Sequence, residues 1–119
     1  MFRFEQLEIW ELSITYGKKL YKTSLNFPGE EKFALADQLR RSAVSISNNI
    51  AEGSGGSPKE FSNFLNIAVR SALETVNILY FARENEYINK ELQQNLYQEA
   101  EILIKKIRAF KKSLKDFNR

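Results

Sequence analysis

Residues 33–64 read FALADQLRRSAVSISNNIAEGSGGSPKEFSNF and hold two helical patterns joined at a glycine-rich break. The first pattern carries an apolar seam, Leu35, Leu39, Ala43, Ile46 and Ile50, in steps of three and four. That spacing puts the five side chains on one face of an α-helix. Beside the seam runs a polar row, Gln38, Ser42, Ser45, Asn49 and Glu52, with the same seven-residue rhythm and no apolar member. A face half apolar and half hydrogen-bonding suits a helix that packs inside its own subunit and also touches a partner. The row is expected to form an internal or intersubunit hydrogen-bond network that sets helix register, with Arg41 beside it. It holds no base of suitable pKa for catalysis. One of Arg40 and Arg41 is expected to pair with Asp37 or Glu52, or across a subunit contact, in preference to a phosphate role, because an unpaired buried charge is expensive.

The second pattern has a clear start. Ser57 caps it, Pro58 takes the first helical position and Glu60 completes a capping box. Phe61, Leu65, Ala68, Ala72, Val76 and Leu79 form its seam, flanked by Phe64, Ile67 and Tyr80, and the helix is expected to end between Glu84 and Tyr87. Gly53-Ser54-Gly55-Gly56 lacks the lysine and preceding strand of a phosphate-binding loop and reads as a turn between antiparallel helices.

Outward from this pair, an earlier helix is expected over about Phe4–Ser24, with Leu7, Trp10, Ile14, Tyr16 and Leu20 as a rough stripe. Gly17 within it is expected to permit close helix packing. The helix that bears the polar row is expected to start near Pro28, which suits a first turn because its missing N–H is not needed there. A last helix is expected after Asn89 as cap, with Leu92, Leu96, Ala100, Leu103, Ile107, Phe110, Leu114 and Phe117 repeating nearly to the end. Four helices with short connections imply one all-α domain, residues 1–119, folded as an antiparallel up-and-down four-helix bundle.

Composition narrows the chemistry. The chain has no cysteine and no histidine. That excludes disulfides, zinc sites of the usual kinds, thiol nucleophiles and imidazole bases. Neither a metal nor a cofactor is expected, and neither is an enzyme. No apolar run approaches the roughly 18 residues that span a bilayer, and the acidic N-terminal stretch does not resemble a signal peptide, so a cytoplasmic protein is expected.

Net charge is +3, unevenly spread. Seven basic residues and one acid, Asp116, fall between Lys105 and Arg119, a net +6 that leaves −3 for the first 104 residues. Lys105, Arg108, Lys112, Lys115 and Arg119 recur in steps of three and four as one stripe, expected opposite the core face of Leu103, Ile107 and Phe110. Such a stripe can follow phosphates, or it can be the solvated face of a terminal helix. Lys18, Lys19 and Lys22 form a second, weaker basic cluster. Aromatic residues off the main stripe, among Trp10, Tyr16, Tyr21 and Phe27, are expected at an interface rather than as stacking surfaces.

The quoted stretch, with its continuation LNIAVRSALE, resembles the signature of a bacterial four-helix bundle family often encoded within intervening sequences of large-subunit ribosomal RNA genes. Gln38-Leu39-Arg40-Arg41, Ser45-Ile46, Asn49-Ile50-Ala51-Glu52-Gly53, Glu60-Phe61, Phe64-Leu65, Ile67-Ala68, Ser71 and Glu74 carry the resemblance, with Phe27-Pro28 and Glu31 ahead of them. It covers about residues 4 to 110. Two positions depart from the family pattern: Ser47 stands where proline is common, and Ser54, Gly55 and Gly56 are neutral where arginine or lysine is common. The resemblance implies a ring-shaped homopentamer. It also implies similarity to the accessory protein of diversity-generating retroelements, a basic pentamer that binds nucleic acid and a reverse transcriptase. The expected activity is therefore non-enzymatic binding of structured RNA or DNA by a homo-oligomer. The rival expectation is a scaffold that recruits a protein partner.

Overall fold

Ile46, Ile50, Phe61, Leu65, Leu79 and Ile107 have no solvent exposure at all. They belong to the seams of three long helices, and burying such side chains contributes about 1.5–3 kcal/mol each. The computed structural model describes residues 1–117, with side chains through Leu114. Its helices are α1 (Glu8–Ser24), α2 (Leu35–Gly53), α3 (Pro58–Glu84) and α4 (Lys90–Phe117). Each packs antiparallel on the next, and α1 meets α4 along a thinner seam. The extents are 49 × 22 × 20 Å, those of an elongated bundle. Among the described residues there is no strand.

The start of α3 is as the sequence implies. The Glu60 N–H donates to Ser57 Oγ at 3.1 Å, and the Ser57 N–H donates to Glu60 Oε1 at 2.9 Å. The Ser57 backbone N–H, and then its hydroxyl, hold the Glu60 carboxyl below its usual range. Asn89 caps α4 by accepting the Leu92 N–H at 2.8 Å. At the end of α3, Glu86 adopts φ 61°, a left-handed conformation that glycine usually supplies. It lets the Tyr87 N–H reach the Ala82 carbonyl at 2.8 Å and the Glu86 N–H reach Arg83 at 2.9 Å.

Four expectations about the helices need correction. The helix bearing the polar row does not start near Pro28. Pro28 is extended, with ψ 154°, and only a 3-10 turn, Gly29–Glu31, follows it. Ala34 then breaks the path at φ −122°, ψ −106°, and α2 begins at Leu35. Glu31 is drawn elsewhere: its Oε2 accepts the Tyr87 hydroxyl at 2.9 Å, which joins the first and last connections of the bundle. The stripe on α1 keeps Leu7, Trp10, Tyr16 and Leu20 against the core but loses Ile14. Ile14 is 45% exposed, while Ile9, Ser13, Tyr16, Leu20 and Thr23 are buried. Ser13 and Thr23 fit the core because each hydroxyl donates to a carbonyl of its own helix, at 2.7 and 2.8 Å. A 3-10 turn, Arg3–Gln6, precedes α1, which starts at Glu8 rather than Phe4. Finally, Gly17 is not needed for close approach, since a Cβ there would meet Ala43 at an ordinary 3.9 Å.

Gly53 is the glycine that packing requires. A Cβ on it would lie 2.7 Å from Phe64 Cβ and 2.8 Å from Phe61 Cδ1. Phe61 cannot easily retreat: it is fully buried, with Phe110 edge-on at 5.4 Å and the Arg3 guanidinium 5.2 Å from its ring centroid.

The polar row turns in part toward α3. Ser42 Oγ lies 2.8 Å from Thr75 Oγ1, and Ser45 Oγ lies 2.7 Å from Ser71 Oγ. Asn49 Nδ2 donates to the Ser45 carbonyl at 2.7 Å and to its hydroxyl at 3.1 Å. Ser42 also faces the Leu39 carbonyl at 2.9 Å, and Thr75 the Ser71 carbonyl at 3.0 Å. Ser42 and Thr75 thus have three contacts for two hydroxyl protons, so the two residues act as a unit. Gln38 and Glu52 are exposed and stand apart from this network, and Arg41 pairs with Asp37 at 2.8 Å.

Two stability outcomes follow from this packing. Gly53→Ala is expected to lower stability by about 2 kcal/mol, as overpacked sites do, measured as a drop in the urea midpoint. An unchanged midpoint would mean that Phe61 and Phe64 can move aside. A double-mutant cycle of Ser42→Ala and Thr75→Val is expected to show coupling of about 1 kcal/mol. Strict additivity would remove the hydroxyl pair as a link between α2 and α3.

Candidate nucleic-acid interface

Antiparallel packing sets Asn66, Arg70 and Leu73 of α3 opposite Lys111, Arg108 and Ile104 of α4. Two cavities lie end to end along that line. One, of about 620 Å³, is lined by Asn66, Val69, Arg70 and Leu73 with Arg108, Lys111 and Lys112. The other, of about 690 Å³, shares Leu73 and Arg108 and continues over Tyr97, Ile102, Ile104, Lys105 and Glu101. Together they form one open groove. Among the described residues, five of its side chains are cationic and Glu101 is the one carboxylate lining it.

Charge in the groove is held there by what the neighbours do. Lys111 Nζ donates to Asn66 Oδ1 at 2.6 Å, a neutral partner that leaves its charge uncompensated. Among the described residues, Arg70, Lys105, Arg108 and Lys112 have no carboxylate within ion-pair reach. Lys106, one residue from Lys105, points the other way and pairs with Glu8 of α1 at 2.9 Å. Lys19 of α1 pairs with Glu99 of α4, so that basic cluster is partly neutralised. Tyr16 closes the same seam by donating to the Leu96 carbonyl at 2.9 Å. Burial, and then the Glu99 charge, push its phenol up, so it stays neutral.

Of the stripe read from the sequence, Lys105, Arg108 and Lys112 are exposed and border this groove. They lie on the solvent-facing side of α4, and Arg108 and Lys112 also border α3. The Lys115 side chain and Arg119 lie outside the described residues. Arg70, Lys111 and Asn66 were missing from the stripe. Arg70 carried a signal, as the one basic residue between Lys59 and Arg83. Its position against α4 depends on how two distant helices meet.

A second cleft lies on the outer side of α2 and is lined by Tyr21, Asp37, Arg40, Arg41, Val44, Ser45, Asn49 and Glu52. Arg40 crosses it to donate to two neutral acceptors, Ser24 Oγ at 3.2 Å and the Lys32 carbonyl at 2.8 Å, while Arg41 makes the expected pair with Asp37. Ser45 and Asn49 therefore border this cleft as well as the internal network. Among the described residues, no three acidic side chains are grouped to hold a metal ion, and no helix is long and apolar enough to cross a membrane.

Residues 5–109 match the family described as 23S rRNA-intervening sequence protein. The fold is similar to the crystal structure of a protein of unknown function from the S23 ribosomal protein family of Bacteroides thetaiotaomicron VPI-5482. Identity to it is 28%, over 87% of this chain and 98% of that one, with a TM-score of 0.77. No curated protein matches the chain. The family match runs from the turn before α1 through most of α4, and the chain belongs to the 23S rRNA-intervening sequence protein family.

Proposed function

We propose that this protein is a non-enzymatic, homo-oligomeric, cytoplasmic binder of structured RNA or DNA, and that the α3–α4 groove is where phosphates are held. The observation that carries this reading is the convergence of Arg70, Lys105, Arg108, Lys111 and Lys112 on one groove, where Glu101 is the one carboxylate among the described residues. Guanidinium groups suit phosphate because their planar N–H fork matches two of its oxygens. Each phosphate neutralised releases condensed counterions, so affinity falls steeply with salt.

Assembly is part of the proposal, with five subunits the number the family resemblance implies. Ile14 and Tyr21 are seven residues apart on α1, and Tyr21 shares the outer cleft with Val44 of α2. All three are at least 40% exposed, an apolar face that a second copy would cover. Repeating one groove around a closed ring would turn a weak site into an avid one.

Two measurements test the reading. In a titration of labelled hairpin RNA over a salt series, Arg108→Ala with Lys112→Ala is expected to shallow the log–log salt slope by about 1.5, while the protein stays assembled. No binding of the wild type at low salt would remove the reading and leave a scaffold for a protein partner. Light scattering after size exclusion is expected to place a pentamer of 13.9 kDa chains near 70 kDa. Val44→Glu is expected to shift it toward a smaller species, and a wild type that elutes as a monomer would end the assembly reading.

A further inference from the structure

The groove carries more apolar surface than phosphate binding needs. Leu73 is 50% exposed and Ile102 is 54% exposed. Leu73 sits where the two cavities join, beside Arg108, and Tyr97 lies further along α4. The Tyr97 ring is braced by Tyr80, near-perpendicular at 6.2 Å between centroids. A cationic end and a mixed end, where Gln98, Glu101 and Lys105 accompany the apolar side chains, are therefore successive parts of one trough.

Width decides which ligand can use both ends. Packed helices have axes about 8–10 Å apart, so the trough between them is narrow. The major groove of a duplex is by itself about 12 Å wide, so a duplex can rest only on the rim. On the rim it presents phosphates and keeps its base faces stacked inside, which leaves Leu73 and Tyr97 in water. An unpaired nucleotide differs: its phosphate can sit with the cations while its base lies on aromatic or aliphatic side chains. Resting on the nucleic-acid reading above, we infer that the groove is a seat for an unpaired nucleotide. Arg70 and Arg108 hold its phosphate, and Leu73 and Tyr97 take its base. The ligand is then a single strand, or the loop or bulge of a folded one.

The test compares a labelled oligouridine with a fully paired duplex of the same length, at one salt concentration and with the assembled protein. The single strand is expected to bind about tenfold more tightly, the gain of seating a base on an apolar platform. Leu73→Gln and Tyr97→Ala are each expected to remove most of that preference without changing the salt slope, since neither touches a phosphate. Arg70→Ala is expected to shallow the slope. Leu73→Gln is the safer variant because its side chain is half in solvent, and circular dichroism checks that both variants remain folded. Equal affinity for strand and duplex, or a single-strand affinity that Leu73→Gln leaves unchanged, overturns this inference while nucleic-acid binding stands. Absence of binding to either probe overturns both.

Discussion

Where α2 gives way to α3, the chain comes back against itself with no room for a side chain on Gly53. Phe61 and Phe64 occupy that space, and Phe61 is in turn held by Phe110 from α4. The capping box of Ser57 and Glu60 starts α3 immediately after this contact, so its rotation is set within its first turn. Two helical turns and more along, Ser45–Ser71 and Ser42–Thr75 hold the same rotation. Everything α3 offers to α4 follows from this, because Arg70 and Leu73 flank Ser71 and Ala72. A rotation of α3 by one residue would turn the guanidinium away from Arg108 and dissolve the groove.

Most polar groups inside this bundle are tolerated because they find a near partner; Gln93 Nε2 and Glu99 Oε2 are buried without one. Ser13 and Thr23 donate to carbonyls of their own helix, which satisfies them without specifying a neighbour. Ser42, Ser45, Ser71 and Thr75 differ in bridging two helices. A leucine pair in their place would bury more apolar area but would tolerate sliding, whereas short hydroxyl contacts lose their geometry within a fraction of an ångström. Specificity of register is the gain at this seam, and packing supplies the stability around it.

The distribution of ion pairs gives the surface its polarity. Lys19 and Lys106 are drawn to carboxylates on the α1–α4 side, and Arg41 to its own helix. Such exposed pairs add little stability. They neutralise cations on the α1–α4 side, while among the described residues no carboxylate pairs with Arg70, Lys105, Arg108 or Lys112 in the α3–α4 groove. A net charge of only +3 can therefore present a concentrated field.

Helix number, helix type and the buried seams of α2, α3 and α4 were legible in the sequence because each is a local, periodic property. So were the caps Ser57 and Asn89, and the family signature across residues 38–74. The start of α2 was not legible, since Pro28 and two following glutamates fit a first turn equally well in sequence; Glu31 is instead engaged by Tyr87, 56 positions away. The end of α3 at Glu84 did fall in the expected window, although Glu86 takes the left-handed turn after it without being a glycine. Half of the basic stripe was visible as spacing along α4. Its completion by Arg70, and its union with Leu73 and Tyr97, depended on which faces of two helices meet. Periodicity tells which side of a helix is buried, but it carries no information about the neighbour that buries it. Pairing, register and the groove between partners were decided by the tertiary structure, through the close approach at Gly53 and the hydroxyl contacts that only one alignment of α2 and α3 can make.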